Sequence, residues 1–160
     1  MSFLKTKGKS LCISLLLGIN AYGLTNLVTE GTYCQHFRLN SSSSLPFYIF
    51  STSSLKMVER NMYVSLTHPF SSQELLKQIV GLPGDVITIR DHHVWVNDKD
   101  YGFIYSTSPS GLALSPLPEG IIPQGFFFVH ATHPQSFDSR YAEFGLVSKE
   151  QLKERLCPLF

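Results

Sequence analysis

The sequence predicts a mainly β fold. A compact β-barrel or sandwich body is expected, carried on one N-terminal transmembrane helix and ended by a short C-terminal helix. Three observations lead there. Short apolar runs separated by turn residues fill the chain from Phe47 onward, one uncharged apolar run sits near the start, and a helix-capping pattern begins at Ser148. With 160 residues, 43% of them apolar and 12 of them Phe, the chain can bury one substantial core.

The elements follow in chain order. MSFLKTKGK carries Lys5, Lys7 and Lys9, and LCISLLLGINAYGLTNLV then runs from Leu11 to Val28 without a charge. As a helix that run spans about 27 Å, near the lower limit for the hydrocarbon core of a bilayer. Asn20, Thr25 and Asn26 weaken it, and a cleavable secretory signal is the rival reading. The expected organisation is a cytoplasmic basic head over residues 1–10, an anchor over 11–28 in the inner (cytoplasmic) membrane, and a body over 29–160 on the periplasmic side.

Thr32 to Phe37 reads as a short bridge, and NSSSSLP, from Asn40 to Pro46, reads as a loop. FYIF and MYVSLTHPF are strand material interrupted by a polar segment. LLKQIV alternates with period two, which places Leu75, Lys77 and Ile79 on one face, and GLPGD then turns the chain. VITIR and VWVND, joined by DHH, make a hairpin. Lys99 to Gly120 has no periodicity and reads as a loop or a weakly ordered excursion. GFFFVHAT is expected to be a central strand, HPQSFDSRY an irregular segment, and SKEQLKERL a helix capped by Ser148 with Gln151 at the third position.

Composition excludes some functions. A formal net charge of +1, with no basic run, argues against nucleic acid as a partner. Neither CxxC nor HExxH occurs, and the adjacent His92 and His93 suit a turn better than a metal site, so no metal and no cofactor is expected. Cys12 falls in the anchor, and whether Cys34 and Cys157 pair is left open.

Four polar features could carry chemistry. They are the hydroxyl cluster Ser41–Ser44 before Leu45-Pro46, the lone Lys77, the GLPGD turn, and SFDSR with Ser136, Asp138, Ser139 and Arg140. His130 and His133 are formal candidates as partners of a serine. A lysine among Leu, Ile and Val is costly to bury as a cation, so it either snorkels to water or releases its proton. In the second case it becomes a base able to activate a serine hydroxyl for acyl transfer. The plainer alternatives are a linker run of serines, a snorkelling strand lysine, and a surface pair of Asp138 with Arg140.

LLKQIVGLPGD resembles the lysine box of bacterial type I signal peptidases, and SFDSRY resembles their last box. The spacing Asn40-x-Ser42-x-Ser44-x-Pro46 is similar to the nucleophile region of one branch, the TraF-type peptidases of conjugative transfer. This resemblance implies Ser44 as nucleophile and Lys77 as general base, with the amine expected at about 2.6–3.2 Å from the hydroxyl, or farther when no substrate is bound. It implies Ser42 beside the Ser44 amide as oxyanion donors, Ser136 as the hydroxyl that aims Lys77, and Asp138 with Arg140 as the pair holding the last box. Gly81, Pro83 and Gly84 would shape the turn and Asp85 would cap it. Two departures stand out. Phe47 and Tyr48 follow Pro46 directly, where the branch has a glycine, and Tyr141-Ala142 replaces the usual Phe-Gly.

The implied function is a membrane-anchored serine endopeptidase that processes a secreted or pilin-like precursor, by hydrolysis or by cyclisation. Its other partners would be the lipid bilayer and a conjugation or secretion apparatus. The alternative is a catalytically impaired binding or assembly subunit of such an apparatus, and a housekeeping signal peptidase is a third, weaker reading.

Overall fold

The computed structural model describes residues 36–160, and the expected anchor, Cys12 and Cys34 lie outside them. Eleven strands form: β1 His36–Leu39, β2 Ile49–Ser54, β3 Tyr63–Thr67, β4 Glu74–Gly81, β5 Val86–Arg90, β6 His93–Val96, β7 Lys99–Phe103, β8 Gly120–Ile121, β9 Phe126–His130, β10 Val147–Ser148 and β11 Leu152–Pro158. They make a seven-stranded sheet in the order β1-β2-β11-β3-β4-β9-β10 and a four-stranded sheet in the order β7-β6-β5-β8, with antiparallel pairing throughout. Among the described residues no helix is long and apolar enough to cross a membrane.

Strand β4 organises the body because both of its faces are used. Lys77 stands opposite Val64 and Leu75 opposite Leu66 on β3. Directly opposed residues of antiparallel strands share a face, so the alternation puts Leu75, Lys77 and Ile79 against one core. That core contains Met62, Val64, Leu66, Ile79, Val129 and Phe144. Val80 points the other way, into a second cluster with Ile87, Val94, Val96, Ile122 and Phe128 that joins the two sheets.

The GLPGD turn ends β4 under two separate constraints. A side chain at Gly81 would sit 2.6 Å from Ile122 Cδ1 and 2.7 Å from Phe128 Cβ, so the strand needs bare backbone there. Gly84 has open space around it but a φ of +92°, which L side chains rarely adopt. Asp85 accepts the Leu82 N–H at 2.6 Å and is held by Arg60 at 2.8 Å and Asn97 at 2.9 Å. Its carboxyl stays below the usual range, because hydrogen bonds from Arg60, Leu82 and Asn97 together outweigh its burial.

Several expectations need correction. No C-terminal helix forms: Ser148 N–H does donate to Gln151 Oε1 at 2.8 Å, but the cap opens only a single 3-10 turn, Lys149–Gln151. The remaining residues become β11, inserted between β2 and β3. Leu152 and Leu156 are four apart, a spacing that keeps one face in a strand as well as in a helix, so periodicity could not separate the two. Lys99–Phe103 is a strand and not loop, disguised by Gly102 at a φ of +105°. β9 lies next to the sheet edge, flanked by β4 and the two-residue β10, and is not central. The bridge before the serine loop includes β1, which pairs with β2.

The hairpin of β5 and β6 forms as expected, with φ of 50° at Asp91 and 62° at His92 in its turn. The glycine arithmetic gives a direct test. Gly81→Ala should lose about 1–3 kcal/mol in urea denaturation through overpacking against Ile122 and Phe128. Gly84→Ala should lose about 1–2 kcal/mol through its dihedral alone.

Candidate active site

The serine loop is built around Asn40, a buried residue that sequence reasoning passed over. Its Oδ1 accepts the Ser42 N–H at 3.2 Å and the Ser42 hydroxyl at 2.8 Å. Its Nδ2 donates to the carbonyls of Leu45 at 3.3 Å and Phe47 at 2.9 Å. One amide side chain therefore spans the whole loop, as Asn does where it mimics a backbone turn. An Asn two residues ahead of Ser42, at the start of a hydroxyl run, was the available signal. Leu45 is buried below the loop, Ser44 is half-buried, and the Ser44 N–H donates to Ser42 Oγ at 3.4 Å. From the opposite side the Ser44 carbonyl accepts Thr132 Oγ1–H at 3.1 Å and the His133 N–H at 3.3 Å.

Lys77 is only 3% exposed. Its Nζ donates to Ser136 Oγ at 2.7 Å and lies 5.9 Å from the centre of the Phe144 ring. Burial is the main reason that its pKa falls from 10.5 to about 8; the nearby Asp138 pulls it up and Arg140 pushes it down, both to a smaller extent. Among the described residues the amine has no hydrogen bond to Ser44; the expected contact between them is not made.

Behind Ser136 lies a buried ion pair. Arg140 Nε and Nη2 reach the two Asp138 oxygens at 2.9 and 3.1 Å, with side chains 1% and 0% exposed, so the surface-pair reading does not apply. Arg140 also donates to the carbonyls of Ser136 at 2.9 Å and Pro134 at 2.9 Å, and Asp138 accepts the Ala131 N–H at 3.2 Å. The irregular segment after β9 is thus shaped by a guanidinium that fills carbonyls on both sides of Ser136. Ser139 adds a second tie, accepting the Val129 N–H at 3.1 Å and donating to the Gly145 carbonyl at 2.8 Å.

These parts converge on a cleft of about 390 Å³ whose walls include Ser42, Ser44, Lys77 and Ser136. Asp138 and Arg140 stand behind the wall, and Gly81, Pro83, Gly84 and Asp85 lie at the far end of β4. His130 is removed from the serines, with its ring against Tyr101 at 5.3 Å and its pKa lowered mainly by burial. Arg38 crosses the cleft rim, 3.1 Å from Glu154 and 3.8 Å from Glu74. β9 covers β4 only from Gln78 onward, so the edge of Glu74–Lys77 on that side carries no strand among the described residues.

Residues 15–157 match the model of the family "Signal peptidase, peptidase S26". The chain belongs to that family. Within it, the similarity runs to the TraF-like branch. The conjugal transfer proteins TraF of Agrobacterium fabrum (strain C58 / ATCC 33970) and of Agrobacterium tumefaciens (strain 15955) are each 32% identical over 87 residues. The match covers 54% of this chain and 48% of each relative, so the chain spans about half the length of the curated relatives it matches. A crystal structure of a signal peptidase I from Enterococcus faecalis V583 aligns with a TM-score of 0.44 and 24% identity, covering 65% of this chain and 100% of that one.

The buried pair makes the framework of the site testable. Arg140→Met leaves Asp138 as an unpaired buried charge and should destabilise the protein by about 3–5 kcal/mol in urea denaturation. Removing the second charge as well, with Asp138→Leu, should recover a large part of that loss. Lys77 gives a pH signature of known sign. Between pH 8 and 10.5 the unfolded chain binds the proton that the folded amine has lost, so stability relative to Lys77→Met should rise across that window.

Proposed function

We propose that this chain is a membrane-anchored serine endopeptidase in which Ser44 attacks and Lys77 is the general base. The observation that carries this reading is a buried amine, with a pKa near 8, sharing one cleft with Ser44. A neutral amine that donates to Ser136 keeps its lone pair free to accept a proton. Rotation of the half-buried Ser44 side chain toward Lys77 completes the pair, and apo sites commonly hold such contacts long. The precursor adds to the free edge of Glu74–Lys77 as an extended strand.

Lys77 takes the Ser44 proton as Oγ attacks the scissile carbonyl. The tetrahedral oxyanion is met by the Ser44 N–H and by the Ser42 hydroxyl, whose proton turns away from Asn40 Oδ1. The amine leaves with the proton held by Lys77. Water then hydrolyses the acyl-enzyme, or the precursor's own amino terminus attacks it and closes a ring. The substrate is a secreted or pilin-like precursor, processed on the outer face of the cytoplasmic membrane, in keeping with the similarity to proteins named for conjugal transfer.

A second reading, an anchored binding or assembly subunit, is favoured by the Lys77–Ser44 contact that is not made and by the missing glycine after Pro46. Co-expression with a candidate exported precursor, followed by intact mass spectrometry, separates the two. A shortened product is expected, reduced roughly 10³-fold or more in Ser44→Ala and in Lys77→Ala. A product lighter by one further water marks cyclisation. Precursor that co-purifies unconverted would favour the binding role. The pH profile of kcat/KM should rise to a plateau along a limb near pH 8, as the amine becomes neutral.

A further inference from the structure

The cleft has a neighbour that the dyad chemistry does not use. A second hollow of about 300 Å³ opens on the other side of His68 and Phe137, both of which also line the first cleft. Its lining is mostly apolar, with Phe70, Pro109, Leu112, Leu114 and Tyr141 around the shared Phe137. Phe137 anchors an aromatic bank: His68 lies at 5.6 Å, Phe70 at 6.2 Å and Tyr141 at 6.4 Å, centre to centre. At the rim Phe70 is 65% and Leu112 is 42% exposed, so large apolar groups border a cavity that none of the described residues fills.

The outer wall belongs to the stretch from Ile104 to Leu117, where the sequence shows no periodicity. It is nonetheless a built wall. Thr107 bridges Ala113, Ser108 N–H donates to the Leu112 carbonyl at 2.8 Å, and Leu112 N–H donates to Ser108 Oγ at 3.0 Å. Its far end is stitched to the segment that shapes the active site. Pro116 bridges Tyr141, Leu117 N–H donates to the Arg140 carbonyl at 2.9 Å, and Ala142 N–H donates to the Ser115 carbonyl at 2.9 Å. A hollow fixed to the residues that hold Ser136 keeps a constant position relative to Lys77, which is what a specificity pocket requires.

We propose that this hollow is a substrate subsite that takes one bulky apolar side chain, Leu, Phe or Trp, from the extended precursor. The occupant follows from continuity and size. A strand lying along Glu74–Lys77 runs toward the β3–β4 loop, whose His68 lies with Phe137 between the two cavities. The hollow is large enough for an aromatic ring, and its lining holds no Asp, Glu, Lys or Arg. The subsite therefore selects one position of the precursor for bulk and leaves its neighbours free. This inference rests on the precursor binding in the cleft, as in the proposed function, but not on its being cut.

The test uses the full chain, with a mixed peptide library as probe and cleavage sites read by mass spectrometry. Wild type should enrich Leu, Phe or Trp at one fixed position from the cut. Leu112→Glu, an exposed rim change, should lose that enrichment by about tenfold and favour Lys or Arg at the same position. In parallel, peptides carrying benzoylphenylalanine at successive positions are photo-crosslinked to Ser44→Ala. Adducts on Phe70, Leu112 or Leu114 from one position support the subsite even if wild type cuts nothing, which would sink the peptidase reading alone. Cleavage without positional enrichment, enrichment untouched by Leu112→Glu, or adducts absent from the hollow would each overturn the proposal.

Discussion

The site depends on one constraint: an amine is buried on the apolar face of β4, where burial weakens its hold on a proton. Lys77 sits between Leu75 and Ile79 on the strand and opposite Val64, so an ammonium there is poorly solvated. A carboxylate nearby would undo this, because an opposite charge favours the cation. Asp138 is such a carboxylate, yet burial prevails. The reason is visible in the geometry. Arg140 covers both Asp138 oxygens and is itself a positive charge near the amine, so Lys77 meets a nearly neutral pair and not a lone anion. The ion pair thus has two tasks, shaping the Ser136 segment and limiting the field at Lys77.

The sheet serves that constraint. β4 is paired with β3 over Glu74–Gln78 and with β9 only from Gln78 onward. The covered half, through Val80 and Gly81, fixes the strand to the second sheet. The uncovered half leaves backbone groups of Glu74–Lys77 available to an incoming strand. Gly81 and Lys77 are therefore parts of one device: close packing at one end of the strand holds still the lysine four residues away, while the other end stays open.

Much of this was legible in the sequence, and the reasons differ by residue. The period-two run Leu75-Lys77-Ile79 placed the lysine on the core face, because alternation is a strong local signal. The Asp91-His92 turn was equally local. By contrast, β11 was disguised by its even leucine spacing, and the part of β2 after Phe50 by hydroxyl residues: Ser51 and Thr52 are buried in the sheet, although polar composition reads as loop. The burial of Asp138 and Arg140 was invisible, since a D-x-R spacing is the same on a surface as in a core. Asn40 stood in the Asn40-x-Ser42-x-Ser44-x-Pro46 spacing, but its role did not, because it spans donors and acceptors several residues downstream.

The shortened loop after Pro46 takes on a different meaning once its surroundings are known. A glycine there would give backbone freedom. In this chain Phe47 occupies the position after the proline, its ring edge-on to Phe50 at 5.9 Å and to Tyr63 at 5.6 Å. Its carbonyl is the acceptor for Asn40 Nδ2, and the following Tyr48 exchanges backbone bonds with Asn40 and Phe160. Side-chain packing thus replaces backbone adaptability in pinning the descending limb of the loop. The ascending limb is pinned by Asn40 through Ser42, and Leu45 is buried between the two. Ser44 is left as the half-exposed residue between fixed neighbours, free to turn its hydroxyl without moving its backbone. Loss of the glycine narrows the ways in which the loop can move, and leaves the orientation of Ser44 set by its neighbours' packing and hydrogen bonds.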